Sequence, residues 1–182
     1  MNALFSVIIP TYKRNKFLEK TLESILFQKI KPLEVILVDD ANDFKTKEIL
    51  EKFKKKVTEF DAIYISNTRH KGALISRNKA AKIAKGSYLA FLDDDDTWDE
   101  SYLENAKNTI TDYNYDLIIS KIIEVCRNEI INEKVIPEDF NIEDYLFKNP
   151  GMLCSNLIIK KSCFTNLEGY DDKIEGAADK DL

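Results

Sequence analysis

A single histidine, His70, and three cysteines are all that this 182-residue chain offers in soft metal-ligating side chains. One imidazole argues against His-based zinc chemistry and weakens a Ser-His hydrolase reading. Cys126, Cys154 and Cys163 show no metal-like spacing and are odd in number. No disulfide framework is therefore expected, and the reducing cytosol is the default compartment. Apolar runs are short: Val35-Ile36-Leu37-Val38 falls far below the length that spans a bilayer. No basic segment precedes the first apolar stretch, which Pro10-Thr11-Tyr12 ends, so no secretory leader is expected. A net charge of -5, with no basic stripe interleaved with aromatics, disfavours nucleic-acid binding.

What is present suits one globular domain. Hydrophobic residues make up 44% and charged residues 32%, which sets the chain apart from disordered and membrane-embedded classes. At this size about 70% of the unfolded surface can be buried, enough for a core without staples. Charge is unevenly spread. Residues 1–86 hold 18 Lys+Arg against 10 Asp+Glu, whereas residues 87–182 hold 9 against 22. Such polarity fits an anionic ligand on the first half and a bound cation on the second. The Lys54-Lys55-Lys56 run itself reads as a solvated helix face.

Periodicity orders the elements. Phe5 to Ile9 is a short β-rich run stopped by Pro10, and Glu34 to Val38, Ala62 to Ser66 and Tyr88 to Leu92 are further strands. Their near-continuous apolar character is that of strands buried on both faces. Phe17, Leu18, Leu22, Ile25 and Leu26 mark one face of a helix over 16–28; Ile49, Leu50 and Phe53 mark a second. Ala73 to Lys85 is a third, with Gly86 as its C-cap. A fourth helix covers about 100–111, and a strand follows over 117–125. Beyond it Glu129 to Ile136 reads as a strand pair, Ile142 to Phe147 as a short helix and Leu157 to Lys160 as a strand. Alternation with short connections predicts an α/β fold, a mostly parallel sheet with helices on both faces.

Open α/β sheets bind ligands at the carboxyl ends of their strands. There the sequence places Pro10-Thr11-Tyr12, Asp39-Asp40, Asn67-Thr68-Arg69 and Asp93 to Asp96, all on one edge. Four successive carboxylates repel one another while partly desolvated, so their pKa values should rise unless a cation is bound. In an extended segment Asp93 and Asp95 point the same way and can share one ion. All-oxygen donors favour Mg²⁺ or Mn²⁺ over Zn²⁺. The plainer reading, an acidic loop capping the helix near Glu100, suits Asp99. Asp39 and Asp40 serve equally well as turn formers or as acceptors for a nucleoside. Arg77 on the third helix can meet a base or phosphate, and Tyr12 can stack on a base. His70 reads as an exposed loop residue without a role.

Val7 to Tyr12 (VIIPTY), Val38-Asp39-Asp40, Arg77-Asn78 and Gly86 to Trp98 (GSYLAFLDDDDTW) together resemble the family 2 glycosyltransferases. The later segments Ser155 to Phe164, Gly169-Tyr170-Asp171 and Asp179 to Leu182 extend the likeness over nearly the whole chain. The resemblance implies a GT-A fold, an inverting mechanism and a nucleotide-sugar donor, UDP-linked in the main. It places Pro10, Thr11, Tyr12 and Asp40 on the nucleoside, with Asp40 pairing with the base, and Arg77 near the nucleotide. Asp93-Asp94-Asp95 falls on the DXD-type motif. Asp95 is then the direct ligand of Mn²⁺ or Mg²⁺, and Asp93 and Asp94 support the metal or the ribose and phosphates. Asp179 falls on the carboxylate that acts as general base.

The implied acceptor is a saccharide or a lipid-linked saccharide in cell-surface polysaccharide or glycolipid synthesis. A cytoplasmic enzyme associated peripherally with the inner face of the membrane fits that acceptor. On this reading 1–182 is one domain, with residues 1–98 on the nucleotide-sugar side and 99–182 on the acceptor side. The departures are Ala178 in place of the usual Glu before Asp179, and Ala41-Asn42 in place of Gly-Ser after Asp40. The chain also stops at Leu182, where the family continues with acceptor-side helices, so an incomplete acceptor side is expected. Two rivals stand: a truncated, non-catalytic module that binds nucleotide or a partner, and a nucleotidyltransferase. Pro10 to Arg14 lacks the glycines that a nucleotidyltransferase's phosphate loop would carry.

Overall fold

The structure, a computed structural model, describes residues 4–126, 129–135, 151–171 and 173. Strand and helix alternate as β1 (Phe5–Thr11), α1 (Asn15–Leu26), β2 (Glu34–Asp39), α2 (Phe44–Lys56), β3 (Asp61–Ser66), α3 (Ala73–Ile83) and β4 (Tyr88–Phe91). Then come α4 (Tyr102–Tyr113), β5 (Leu117–Ile119), β6 (Ile122–Cys126), β7 (Glu129–Lys134), β8 (Leu157–Lys160) and α5 (Lys161–Asn166). The main sheet runs β3-β2-β1-β4-β8-β5. Its first four strands are parallel, and β8 lies antiparallel between β4 and β5.

The period of two along each strand divides the core. Val7, Ile9, Val35, Leu37 and Ala90 face Leu18, Leu22 and Ile25 of α1, Ile49, Leu50 and Phe53 of α2, and Leu103 and Ile110 of α4. Ile8, Ile36, Val38, Leu89 and Phe91 face the other way, onto Ala80 and Ala81 of α3 and Phe164 of α5. Every residue of β1, β2 and β4 is buried. Full burial of each such side chain is worth about 1.5–3 kcal/mol, so two covered faces account for the apolar strands.

This arrangement also sets where a ligand can go. From β1 the chain steps outward to β2 and β3 with α1 and α2 on one face. It then returns through α3 on the opposite face to β4, on the far side of β1. Strand order therefore reverses between β1 and β4, and a crevice opens at their carboxyl ends.

Three local expectations change. Gly86 does not cap α3, which ends at Ile83. A Cβ on Gly86 would stand 2.6 Å from Ser6 N and 2.7 Å from Leu4 O, so close backbone approach, not a helix end, requires glycine there. The strand expected over 117–125 is two strands in different sheets. Ser120 N donates to Asn156 O at 3.0 Å and Ser120 O accepts from Asn156 Nδ2, which ends β5. β6 then pairs antiparallel with β7 in a separate two-stranded sheet, so the segment from Glu129 pairs with the preceding strand and not within itself. The expected helix over Ile142 to Phe147 lies outside the described residues. Cys126, Cys154 and Cys163 are thiols, none joined in a disulfide.

Gly86→Ala is expected to lower stability by about 1–3 kcal/mol through overpacking against backbone. Urea unfolding would show a lower midpoint at unchanged slope; an unchanged midpoint contradicts the clash.

Candidate functional site

The crevice is a cleft of about 280 Å³. β1 and the turn after it supply Pro10, Thr11, Tyr12 and Arg14; Asp40 follows β2; His70 follows β3; α3 supplies Ala73 and Arg77; Asp93 and Asp94 follow β4. Asp95 joins this set through Arg14. Asp179 lies outside the described residues.

The two aspartates after β2 have separate tasks. Asp39 is fully buried and shapes the turn: its carboxylate accepts from Ala41 N at 2.9 Å, Asp43 N at 2.6 Å and the Tyr64 hydroxyl at 2.7 Å. Asp40 is also buried, and it holds the loop between β3 and α3. Its Oδ1 accepts from Asn67 Nδ2 at 2.7 Å and Lys71 N at 2.9 Å. Its Oδ2 accepts from Gly72 N at 2.8 Å and lies 2.6 Å from His70 Nδ1. Gly72 has φ +92, a conformation that side chains resist, and this lets the loop present successive amides to one carboxylate.

The acidic segment after β4 is a turn, not an extended run. Asp96 N donates to Asp93 O at 3.2 Å, so the alternation that would aim Asp93 and Asp95 alike does not apply. The two instead meet different arginines. Arg77 Nη2 donates to Asp93 Oδ1, and Arg14 Nη1 donates to Asp95 Oδ2 at 2.6 Å while lying 3.6 Å from Asp94 Oδ1. Asp94 is buried and accepts from the Thr11 hydroxyl at 2.6 Å. Burial pushes the Asp94 carboxyl up, and the Thr11 hydroxyl and Arg14 pull it part of the way back. Burial raises Asp96 likewise, against the Ser155 hydroxyl. Thr21 on α1 holds the turn's backbone, its hydroxyl 3.0 Å from Asp94 O and 2.8 Å from Asp96 O. Asp99 does not cap the next helix, whose N-cap is Ser101; it forms a turn just ahead of it, accepting from Ser101 N at 2.9 Å.

Arg77 and Asn78 work as a pair on α3. The Arg77 side chain is 4% exposed, and its guanidinium lies 5.9 Å from the centroid of the Tyr170 ring. Asn78 clamps the same residue: its Nδ2 donates to Tyr170 O at 2.7 Å and its Oδ1 accepts from Tyr170 N at 3.0 Å. Gly169, at φ +76, fits because a Cβ would stand 2.5 Å from Asn78 Oδ1. Helix α3 thus secures the late Gly169-Tyr170 segment beside the cleft.

Sequence reasoning missed His70, Arg14 and Ser155. Ser155 Oγ accepts from Asp93 N at 3.0 Å, and Ser155 O accepts from Trp98 Nε1 at 2.7 Å. Arg14 sat next to the Pro10-Thr11-Tyr12 turn, so proximity to a strand end was the available signal. Ser155 opens one of the segments that carry the family resemblance, which was its available signal, though it gave the residue no role.

Among the described residues no three His, Cys, Asp or Glu side chains form a ready-made metal cage. Asp93 and Asp95 are nevertheless suitable hard donors, with side chains 35% and 41% exposed, each giving one oxygen to an arginine. Mg²⁺-type ions are commonly held by one or two carboxylates, with phosphates and water completing the shell. The residues present fit an ion of that kind.

Architecture and cleft together define a GT-A fold. Staphylococcus aureus TarS 1-349, in a complex with UDP-GlcNAc, matches at a TM-score of 0.79 and 23% identity, covering 97% of this chain and 51% of that one. The Pyrobaculum calidifontis mannosyltransferase PcManGT, in complex with GDP-Man and Mn²⁺, matches at 0.70 and 21% identity, over 99% of this chain and 50% of that one. The profile of Glycosyl transferase family 2 matches residues 6–164, and the chain belongs to that family. A glycosyltransferase of Methanocaldococcus jannaschii is 33% identical over 98% of this chain and 63% of its own length. The Escherichia coli UDP-Glc:α-D-GlcNAc-diphosphoundecaprenol β-1,3-glucosyltransferase WfaP is 41% identical over 56% of this chain and 39% of its own. The chain therefore spans 63% and 39% of these two curated relatives.

The raised Asp94 carboxyl carries a sign. It holds its proton more tightly folded than unfolded, so its contribution to stability falls as pH climbs from the unfolded value of 3.8 through the raised one. Asp94→Asn removes that fall. As pH rises from about 4, the urea midpoint of the variant should gain on that of the wild type; a pH-independent difference contradicts the assignment.

Proposed function

We propose that this chain binds a nucleoside-diphosphate sugar in the cleft, UDP-linked in the main, and transfers the sugar with inversion to an acceptor hydroxyl. The observation that supports it most is the meeting of two arginines with an acidic turn at the point where strand order reverses. The nucleoside lies against Pro10, Thr11 and Tyr12 above buried Asp40. The diphosphate lies toward Arg77 and the turn that Asp94 anchors. Arg14 and Arg77 can exchange a carboxylate for a phosphate oxygen, since guanidinium pairs with either in the same forked geometry.

Asp95, with Asp93 in support, would hold Mn²⁺ or Mg²⁺. When bound, that ion offsets the charge that develops on the departing diphosphate. Asp179, assigned by the family resemblance, takes the proton of the acceptor hydroxyl, help worth about 10² to 10⁴ in rate. Holding donor and acceptor in line supplies most of the remainder, and no covalent intermediate is required. Residues 1–98 serve the donor and 99–182 the acceptor. WfaP is named for a diphosphoundecaprenol-linked substrate and TarS for poly(ribitol-phosphate), which supports a cell-surface acceptor. No helix among the described residues is long and apolar enough to cross a membrane. A lipid-linked acceptor would be met at the inner membrane face.

Calorimetry with UDP, with and without Mn²⁺, followed by a UDP-release assay over candidate donors, tests the reading. Asp95→Ala should lose the metal-dependent gain in donor binding. Asp179→Asn should keep binding and lose transfer by about 10² to 10⁴. Unchanged transfer by purified Asp179→Asn removes that residue from the base role. Binding without turnover in the wild type supports the non-catalytic module, and no nucleotide binding overturns the proposal.

A further inference from the structure

We infer that the joined starts of α1 and α2 form a docking surface for an anionic lipid membrane. Phe17 and Phe44 enter the headgroup layer, and Lys13, Lys16 and Lys45 meet lipid phosphates. The surface lies beside the cleft and uses none of its arginines or aspartates, so it goes beyond the nucleotide-sugar reading. One exposed aromatic side chain calls for no explanation, whereas a group of them does. Phe17 is 47% exposed and Phe44 is 75% exposed. Asn15 joins their two helices: its Nδ2 donates to Asp43 Oδ2 at 2.6 Å, and its Oδ1 accepts from the Thr46 hydroxyl at 2.8 Å.

Lysines are set among the rings. Lys16 Nζ lies 5.6 Å from the centroid of the Phe17 ring, and Lys13 Nζ lies 5.3 Å from that of the half-exposed Tyr12. The Asp43 carboxyl is held below its usual range by the amide of Lys45, the side chain of Asn15 and the charges of Lys45 and Lys13, which places both lysines at the junction. Lys20 follows Lys16 one turn along α1, and Lys47 follows Phe44 along α2. Residues 13–31 hold six Lys+Arg against two acidic residues, and residues 43–56 hold six against three. Of those acids, Glu23 pairs with Lys56, Glu51 pairs with Lys54, and Asp43 caps α2. The surface is therefore basic and aromatic together. That combination suits the boundary between anionic headgroups and acyl chains: rings enter the apolar layer while ammonium groups stay at the phosphates. Nucleic-acid binders instead track a strand along a basic groove, and the groove beside this surface is the cleft, which Asp93 and Asp94 line. Tyr12 also lines the cleft, so docking holds the cleft mouth at headgroup level.

Co-sedimentation of the full chain with vesicles tests the inference. The chain should pellet with equimolar phosphatidylglycerol and phosphatidylcholine, stay in solution with phosphatidylcholine alone, and be released by high salt. Lys13→Gln, Lys16→Gln and Lys45→Gln combined should lower partitioning by about a hundredfold. Phe17→Ser with Phe44→Ser should lower it by about tenfold or more. Both variants should keep the wild-type urea midpoint, since the altered side chains lie on the surface. In Phe44→Trp, emission should move to the blue when anionic vesicles are added; Trp98, the chain's single tryptophan, is buried and gives a steady background. A wild type that does not pellet, pelleting kept by either combined variant, or unshifted Phe44→Trp emission overturns the inference. Single-stranded RNA bound through the same lysines, with vesicles left unbound, overturns it in favour of nucleic acid. Vesicle binding without UDP binding upholds the docking surface and overturns the nucleotide-sugar reading.

Discussion

Asp93 to Asp96 crowd negative charge onto four successive residues at the end of β4, and Arg14 and Arg77 meet that charge from opposite faces of the sheet. Arg14 sits at the start of α1 and Arg77 within α3. The sheet places these helices on different faces because the order of the parallel strands reverses between β1 and β4. Without the arginines the turn would hold uncompensated carboxylates, two of which burial already raises. Folding and ligand binding thus draw on the same charges. A cation and a diphosphate entering together would leave the local balance nearly unchanged, since each arginine would trade one anionic oxygen for another.

The far end of the cleft is built differently. Asp40 is held by backbone amides and an asparagine, which cannot leave without unfolding the loop between β3 and α3. That end is fixed, whereas the acidic turn is held by side chains that can change partners. A donor with a rigid base and a leaving diphosphate suits this division. Tyr170, clamped by Asn78 and lying over Arg77, ties a late part of the chain to the same place.

Much of this was legible in the residues. Apolar runs announced β1, β2 and β4 because both faces of the sheet are covered, and the residues after each strand converge because parallel strands end on one edge. Several details were not legible. The pairing of Asp93 and Asp95 with separate arginines follows from the Asp93–Asp96 turn, which no periodicity within four aspartates can signal. His70 looked like a solvent-exposed loop residue, and it is largely exposed, yet one edge of its ring reaches a carboxylate 30 residues away in sequence. Gly86 resembled a helix cap because glycine after an Ala-rich helix usually is one; what it avoids is the backbone of β1. Such contacts join distant parts of the chain and leave no local pattern.

The most direct measurement is manganese anomalous diffraction from crystals of the chain grown with UDP and Mn²⁺. The account requires an anomalous peak at coordination distance from Asp95, beside the diphosphate, with Arg14 or Arg77 turned onto phosphate oxygens. A manganese peak remote from Asp93 to Asp95, or UDP seated away from the cleft between β1 and β4, would contradict it.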